Sequence, residues 1–79
     1  MNNIIEAYPN PSSGLFSMRL KTTTECTVQV YNSLGERVKK VKTGGGSVEI
    51  DLNDQPKGMY ILQVFSAEQN LGYGKIVIQ

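Results

Sequence analysis

The chain has 79 residues, a formal net charge of +1 at pH 7, one cysteine and no histidine. This length suffices for one small domain, and a lone cysteine cannot form an internal disulfide. Near-neutral charge argues against an electrostatic grip on nucleic acid or an anionic membrane surface. Residues 1–3 lack the charged and apolar regions of a signal peptide, and no apolar stretch approaches the roughly 18 residues of a membrane span. These features favour a soluble module.

The first elements are a short apolar stretch, a proline-rich corner and an alternating strand. Residues 4–8 predict a strand that ends at Tyr8-Pro9-Asn10-Pro11. Proline has no N–H for a β-ladder and restricts the residue before it to extended conformations, so this segment predicts a stiff corner. Residues 12–14 predict the turn that follows. Phe16, Met18 and Leu20 alternate with polar residues, which indicates a strand with one face in the core.

The middle of the chain predicts two further strands and a tight turn. Cys26, Val28 and Val30 alternate with more polar residues, and residues 32–35 form a hairpin-type connection in which Gly35 can take a positive φ. In residues 36–42, Val38 and Val41 are three positions apart. We therefore expect a bulge near Lys39–Lys40, or one exposed valine.

The last part of the chain predicts three more strands. Residues 44–46 are three glycines that predict a flexible hairpin tip, and alternation resumes at Val48, Ile50 and Leu52. Residues 58–65 are apolar on both faces, as expected for a central strand. Residues 75–79 form a final apolar strand, which must be paired because its loss would expose much of a small core.

About seven short strands separated by regular turn signals predict an all-β fold. We expect an antiparallel β-sandwich of immunoglobulin-like architecture, with a small barrel as the alternative. The disulfide and core tryptophan of antibody domains are absent. Residues 4–79 are predicted to form the single domain, and residues 1–3 a disordered N-terminal remnant or an expression start.

The residues that support catalysis are scarce. Without histidine, the chain has no Ser-His or Cys-His nucleophile pair. The segment Asp51-Leu52-Asn53-Asp54 lacks the glycine and downstream glutamate of an EF-hand loop, so we expect a turn in which Asn53 or Asp54 bonds its own backbone. The triple glycine lacks the lysine of a phosphate-binding loop. The chain is therefore not expected to be an enzyme or to carry a metal or cofactor.

Three features leave alternatives open. The basic cluster Arg37, Lys39, Lys40 and Lys42 is either a charged edge strand or a docking patch for an acidic partner. Tyr31, Tyr60 and Tyr73 could form a sugar-binding platform, although packing in the core or at an edge is favoured. Cys26 lies in the inward register of its strand and is expected to be a buried apolar residue.

Four motifs in order resemble a known family. They are Tyr8-Pro9-Asn10-Pro11 with Gly14 and Phe16, then Tyr31-Asn32-Ser33-Leu34-Gly35-Glu36-Arg37-Val38, then Pro56-Lys57-Gly58-Met59-Tyr60-Ile61-Leu62-Gln63-Val64, and finally Lys75-Ile76-Val77-Ile78. Together they resemble the type A C-terminal sorting domain of the type IX (Por) secretion system of Bacteroidota. The likeness covers residues 5–79. Glu36 departs from the family pattern, in which the basic residue directly follows the glycine.

The resemblance implies a transport role. It implies that the domain directs an N-terminal cargo from the periplasm across the outer membrane to the cell surface or extracellular space. Outer-membrane secretion machinery and a sortase-like surface peptidase would be its partners, and removal of the domain would precede anchoring or release of the cargo. The implied sorting-motif residues are Tyr8, Pro9, Asn10, Pro11, Gly14, Gly35, Arg37, Pro56, Gly58, Tyr60, Lys75, Ile76, Val77 and Ile78.

Two questions stay open at this point. Residues 75–79 could be recognised by strand addition or through an exposed edge and terminal carboxylate, or could merely complete the fold. The prolines of the corner are interpreted as acting through the fold. The rival functions are a carbohydrate- or protein-binding sandwich appended to a secreted enzyme, and a structural spacer or adhesin repeat.

Overall fold

The protein forms two antiparallel sheets that pack face to face. The computed structural model describes residues 6–9, 11–20, 25–66 and 69–79. The strands in this part of the chain are β1 (Glu6–Tyr8), β2 (Leu15–Arg19), β3 (Cys26–Tyr31), β4 (Arg37–Thr43), β5 (Ser47–Asp51), β6 (Gly58–Ser66) and β7 (Gln69–Ile78). One sheet has the order β1-β2-β5 and the other β4-β3-β6-β7. The predicted all-β sandwich is confirmed rather than the barrel, and the strand order is compatible with the immunoglobulin-like architecture.

The core lies between the two sheets and contains the apolar residues predicted to face it. In β2, Phe16 and Met18 are buried while Leu15 and Arg19 are exposed. The buried side chains of the cluster are Phe16, Met18, Leu20, Cys26, Val28, Val30, Ile50, Leu52, Tyr60, Leu62, Val64, Ile76 and Ile78. Complete burial of one large apolar side chain contributes about 1.5–3 kcal/mol. This cluster therefore holds the sheets together.

β6 is an interior strand with one buried and one partly exposed face. It pairs with β3 on one side and with β7 on the other, so the predicted central strand is confirmed. The buried face carries Tyr60, Leu62 and Val64. On the opposite face, Ile61 and Phe65 are half-buried and Met59 is exposed. Within the described residues no second layer covers this face, so its apolar side chains contact solvent.

A β-bulge in β4 turns two valines towards the core. The register with β3 shifts between Val30 and Tyr31, which leaves Val38 as the extra residue. Because one residue is added, Val38 and Val41 both pack against the core although they are three positions apart. The expected bulge is confirmed, but it lies at Val38 and not at Lys39–Lys40.

The triple glycine connects the two sheets. The prediction of a hairpin tip is wrong, because β4 is at the edge of the four-stranded sheet while β5 pairs with β2 in the other sheet. Gly45 and Gly46 have φ values of 95° and 75°, which glycine adopts without steric cost. The Gly46 carbonyl accepts a hydrogen bond from the Leu20 N–H at 2.6 Å. The glycines thus allow the chain to cross between sheets.

The basic residues of β4 lie on an edge strand, as one of the two alternatives predicted. Arg37, Lys40 and Lys42 are exposed, and charges on an edge oppose pairing with another chain. Lys39 instead reaches the other sheet, where its Nζ donates to the Asp51 carbonyl at 2.7 Å. The regular structure described is entirely β, and no described segment is a helix with the length and hydropathy needed to cross a membrane.

Candidate recognition site

The four sequence motifs meet at one end of the sandwich. Tyr31 at the end of β3 pairs with Ile61 near the start of β6, and Gly58 pairs with Ile78 at the end of β7. The end of β3, the start of β6 and the end of β7 therefore lie side by side. We refer to residues 8–9, 11–14, 32–37, 52–60 and 75–79 as the motif end.

Ser12 links the first motif to the last. Its N–H donates to the Val77 carbonyl and its carbonyl accepts from the Gln79 N–H, both at 2.8 Å, which forms a short parallel bridge to β7. Ser12 is only 3% exposed. Its hydroxyl donates to the Leu15 carbonyl at 2.9 Å and accepts from the Gly14 N–H at 3.0 Å. The buried serine therefore has hydrogen-bond partners for its side chain and for its backbone.

The bridge bears on recognition by strand addition. Strand addition requires unpaired backbone groups along a sheet edge. The edge of β7 at residues 77–79 is occupied by Ser12. Ile76 and Ile78 are buried in the core. The last strand thus completes the fold, and a strand added at residues 77–79 would have to displace Ser12.

Gly14 lies where a side chain does not fit. Its φ is 137°, and an added Cβ would approach the Oδ1 of Asn53 to 2.1 Å. Its carbonyl accepts a hydrogen bond from the Leu52 N–H at 2.7 Å. Gly14 therefore allows the loop after β1 to contact the loop after β5.

Tyr60 ties the loop between β5 and β6 to the core. Its ring is buried, and its hydroxyl donates to the Pro56 carbonyl. Gly58, between them, has a φ of 147°. A tyrosine hydroxyl that bonds the backbone a few residues upstream is the tyrosine corner of immunoglobulin-type sandwiches. Pro56, Gly58 and Tyr60 thus have a structural role in closing this loop.

Asn32 organises the turn between β3 and β4. Its Oδ1 accepts from the N–H groups of Leu34 and Glu36 at 2.9 and 3.0 Å, and its Nδ2 donates to Glu36 Oε1 at 2.9 Å. The Gly35 N–H donates to the Asn32 carbonyl at 3.0 Å, and Gly35 has a φ of 84°. Glu36, the departure from the family pattern, therefore closes the turn. It moves Arg37 to the first position of β4.

A groove of about 200 Å³ separates this turn from the loop that precedes β6. Its walls are residues 32–34 on one side and 56–60 on the other. Leu34 is 81% exposed and Met59 is 45% exposed. The second and third motifs thus share one concave surface that has apolar side chains at its rim.

The predicted motif residues divide into two groups. Gly14, Tyr60, Ile76 and Ile78 are buried, and Val77 is half-buried. The exposed residues are Tyr8, Pro9, Pro11, Gly35, Arg37, Pro56, Gly58 and Lys75. Asn10 lies outside the described residues. The buried residues support the fold, and the exposed residues are available for contact with a partner.

The proline corner ends β1 as predicted. β1 stops at Tyr8, and the Tyr8–Pro9 peptide bond is cis. Tyr8 is 41% exposed. The guanidinium carbon of Arg19 lies 6.0 Å from the centre of the Tyr8 ring, at the outer limit of a cation–π contact.

The three tyrosines do not form one platform. Tyr60 is buried, whereas Tyr31 and Tyr73 lie on the outer side of the four-stranded sheet with β6 between them. The Tyr31 hydroxyl donates to the Gln29 side chain at 2.6 Å. The packing alternative is therefore confirmed for Tyr60.

The acidic segment after β5 forms a turn. Asp51 Oδ1 accepts from the Asn53 N–H at 2.9 Å, and the Gln55 N–H donates to the Leu52 carbonyl at 3.0 Å. The predicted turn is confirmed, but the side-chain acceptor is Asp51. Within the described ranges, no three histidine, cysteine or carboxylate side chains cluster as metal ligands.

Cys26 is buried, as its strand register predicts. Burial, and to a smaller extent the nearby Glu25 carboxylate, raise the pKa of its thiol. The neutral thiol is therefore favoured, and Cys26 acts as a small apolar core residue.

Ser12 and Asn32 were not among the predicted site residues. Both follow local patterns that can be read from sequence, since a short polar side chain that precedes a glycine by two or three positions often bonds the turn backbone. The partner of the Ser12 backbone is Val77. No local pattern indicates a contact between residues so far apart in sequence.

The convergence of the four motifs agrees with a comparison against protein families. The model of the secretion system C-terminal sorting domain matches residues 6–79. The chain belongs to this family. Two curated relatives match the sorting domain over nearly its whole length. An endo-acting ulvan lyase of Formosa agariphila is 30% identical over 76 residues, and an ulvan lyase of Nonlabens ulvanivorans is 32% identical over 75 residues.

The sorting domain spans a small part of these relatives. The matched region covers 95% and 94% of this chain, but only 15% and 14% of the two lyases. As a member of this family, the chain is a sorting signal of the type IX secretion system. This membership implies interaction with the secretion machinery and export to the cell surface or extracellular space.

Proposed function

We propose that the sorting domain is recognised as a folded unit, and that most of its motif residues act by fixing the fold. The observation that carries this proposal is the bridge from Ser12 to Val77 and Gln79, which joins the first motif to the last. The burial of Gly14 and Tyr60 supports the same role. In this view the motifs are spread along the sequence because each one holds a different loop of the same end.

The cargo is proposed to be a longer secreted protein. Both curated relatives are named as ulvan lyases, and each extends far beyond the matched region. This supports a secreted enzyme as one class of cargo, with its activity outside residues 6–79. After export, a sortase-like surface peptidase is proposed to remove the sorting domain, and the cargo is then anchored or released. The family membership supports this last step.

A secretion assay tests the role of the motifs. A reporter protein fused to residues 1–79 is expressed in a bacterium that has a type IX system, and the exported fraction is measured beside the unfolding midpoint of each purified fusion. Ser12→Pro removes the donor to Val77 and is compared with a core variant such as Val28→Ala, at a temperature where both are equally folded. Equal export of the two variants is expected if the motif acts through the fold.

The proline corner allows the same assay to be applied to exposed motif residues. Pro9→Ala and Pro11→Ala alter exposed residues. The exported fraction of each variant is expected to fall only in proportion to its loss of folded protein. Lost export at an unchanged unfolding midpoint would show that the machinery contacts the corner itself. Mass spectrometry of the exported reporter detects removal of the domain, and an intact fusion on the surface would contradict the proposed peptidase step.

A further inference from the structure

The outer side of the four-stranded sheet combines an apolar centre with a basic border. Register pairs Tyr31 with Ile61 and Ile61 with Lys75, so these side chains form a row across β3, β6 and β7. Met59 and Tyr73 are 45% and 63% exposed. We refer to this surface as the outer face. It comprises Thr27, Gln29, Tyr31, Arg37, Lys40, Lys42, Met59, Ile61, Gln63, Phe65, Tyr73, Lys75 and Val77.

Charge is segregated between the two sheets. The strands β3, β4, β6 and β7, all described, contain no aspartate or glutamate. Their charged residues are Arg37, Lys39, Lys40, Lys42 and Lys75. The strands of the other sheet carry Glu6, Arg19, Glu49 and Asp51. The near-neutral total therefore conceals one sheet in which every charged strand residue is basic, on β4 and β7.

Protection of edge strands accounts for the positions of these charges, because all five lie on β4 and β7, the two edges of the sheet. It does not account for the apolar side chains Met59 and Tyr73, which are exposed beside them. Segregation of sign affects what approaches the surface, because a patch of one sign attracts its opposite and repels its like. Arg37, Lys40 and Lys42 are exposed and form no ion pair with another described residue.

We propose that the outer face is the docking surface of the sorting domain for an acidic protein. The partner is a protein surface on which carboxylates, facing Arg37, Lys40 and Lys42, flank an apolar patch that covers Met59 and Tyr73. This inference rests on the sorting function, and it places the partner within the secretion machinery. The buried motif residues would then present the surface, since β3 and β7 end and β6 begins at the motif end.

The composition of the outer face favours a protein partner. Exposed aromatic residues, methionine and arginine are enriched in protein interfaces, and desolvated aromatic anchors contribute much of the binding energy. An anionic polysaccharide or lipid headgroup would use the basic border and leave the apolar centre unoccupied. The test therefore separates these partners.

Site-specific photo-crosslinking identifies what covers the outer face. A benzophenone amino acid replaces Tyr73 on the outer face or Tyr8 on the opposite sheet, in the reporter fusion during export. We expect a protease-sensitive adduct between position 73 and a component of the secretion machinery. Such an adduct at position 8 only, a polysaccharide or lipid adduct, a dimer of the fusion, or no adduct during normal export would overturn the proposal.

Charge variants test the electrostatic part. Lys40→Gln/Lys42→Gln lowers the net charge by two on the outer face, and Leu15→Glu/Ser47→Glu lowers it by two at exposed positions of the other sheet. Because steering by complementary charge raises association rates by about tenfold or more, we expect the export rate to fall about tenfold in the first pair. It should change less than about twofold in the control pair. Equal effects of the two pairs would contradict the charge complementarity.

A third variant separates the inference from the sorting function. Tyr73→Ser removes the exposed aromatic anchor and is expected to reduce the export rate of the fusion. It is also expected to reduce the yield of crosslinks from a benzophenone amino acid placed at position 63. Normal export of this variant and of Lys40→Gln/Lys42→Gln would overturn the docking surface while leaving the sorting function intact. Failure of the unaltered fusion to be exported would contradict the sorting function itself.

Discussion

The backbone N–H of Ser12 lies 2.8 Å from the carbonyl oxygen of Val77, and this hydrogen bond joins the loop after the first strand to the last strand. Ser12 lies between β1 and β2 of the three-stranded sheet, and Val77 lies in β7, at the edge of the four-stranded sheet. The two sheets are therefore joined at this corner by backbone hydrogen bonds as well as by side-chain packing.

Removal of the Ser12 donor is expected to destabilise the domain. Ser12→Pro has no N–H for the Val77 carbonyl, and loss of a partly buried hydrogen bond costs about 1–3 kcal/mol. Ser12→Ala keeps both backbone bonds and loses only those of the hydroxyl, at about 1 kcal/mol. Urea denaturation measures both. A proline variant as stable as the alanine variant would show that the bridge contributes little.

The hydroxyl of Tyr60 is expected to stabilise the loop between β5 and β6. Tyr60→Phe keeps the buried ring and removes the donor to the Pro56 carbonyl, so we expect a loss of about 1 kcal/mol in the free energy of unfolding. Tyr31→Phe is the matched control, because its hydroxyl bonds only the Gln29 side chain. The control should lose less than about 0.5 kcal/mol. Equal losses would argue against a tyrosine corner.

The two motif glycines are expected to differ in tolerance. Gly14→Ala places a Cβ against Asn53 in addition to straining the backbone, and should cost at least about 2 kcal/mol. Gly35→Ala meets no atom within 4 Å, so only the strain at a φ of 84° remains, about 1 kcal/mol. Thermal unfolding shows which of the two variants loses more stability. Asn53→Ala should recover part of the Gly14→Ala loss, and its failure to do so would locate the cost in the backbone alone.

The stability of the domain is expected to fall in alkali because of Cys26. Its thiol pKa is raised in the folded state, first by burial and then by Glu25, so the unfolded chain loses the thiol proton at a lower pH. Stability is thus complete below the ordinary thiol pKa and falls as the pH rises towards the folded value. Urea midpoints between pH 7 and 10 measure this. The thiol contribution should vanish in Cys26→Ala, and identical pH profiles would contradict it.

Several elements could be predicted because their causes are local. The alternation in residues 16–20 and 26–30 predicts both strands and their buried faces, since side chains alternate across a strand. The turn at residues 32–35 and the end of β1 at Tyr8 follow from residue types with known backbone preferences. The bulge was predicted from the spacing of Val38 and Val41, but its position depends on the register with β3.

Other features could not be predicted because they depend on contacts between distant segments. The triple glycine has the composition of a hairpin, and only the pairing of β5 with β2 shows that the chain changes sheets there. The tyrosines at positions 31, 60 and 73 are chemically alike, and burial separates them.

The strands, their inward residues and the four motifs of a sorting domain follow from the local sequence, because periodicity, turn chemistry and motif order are properties of neighbouring residues. The meeting of the motifs at one end, the bond from Ser12 to Val77 and the grouping of the basic residues of β4 and β7 in one sheet depend on the tertiary structure. Sheet order and register bring these distant segments together, and both follow from burial of the whole core at once.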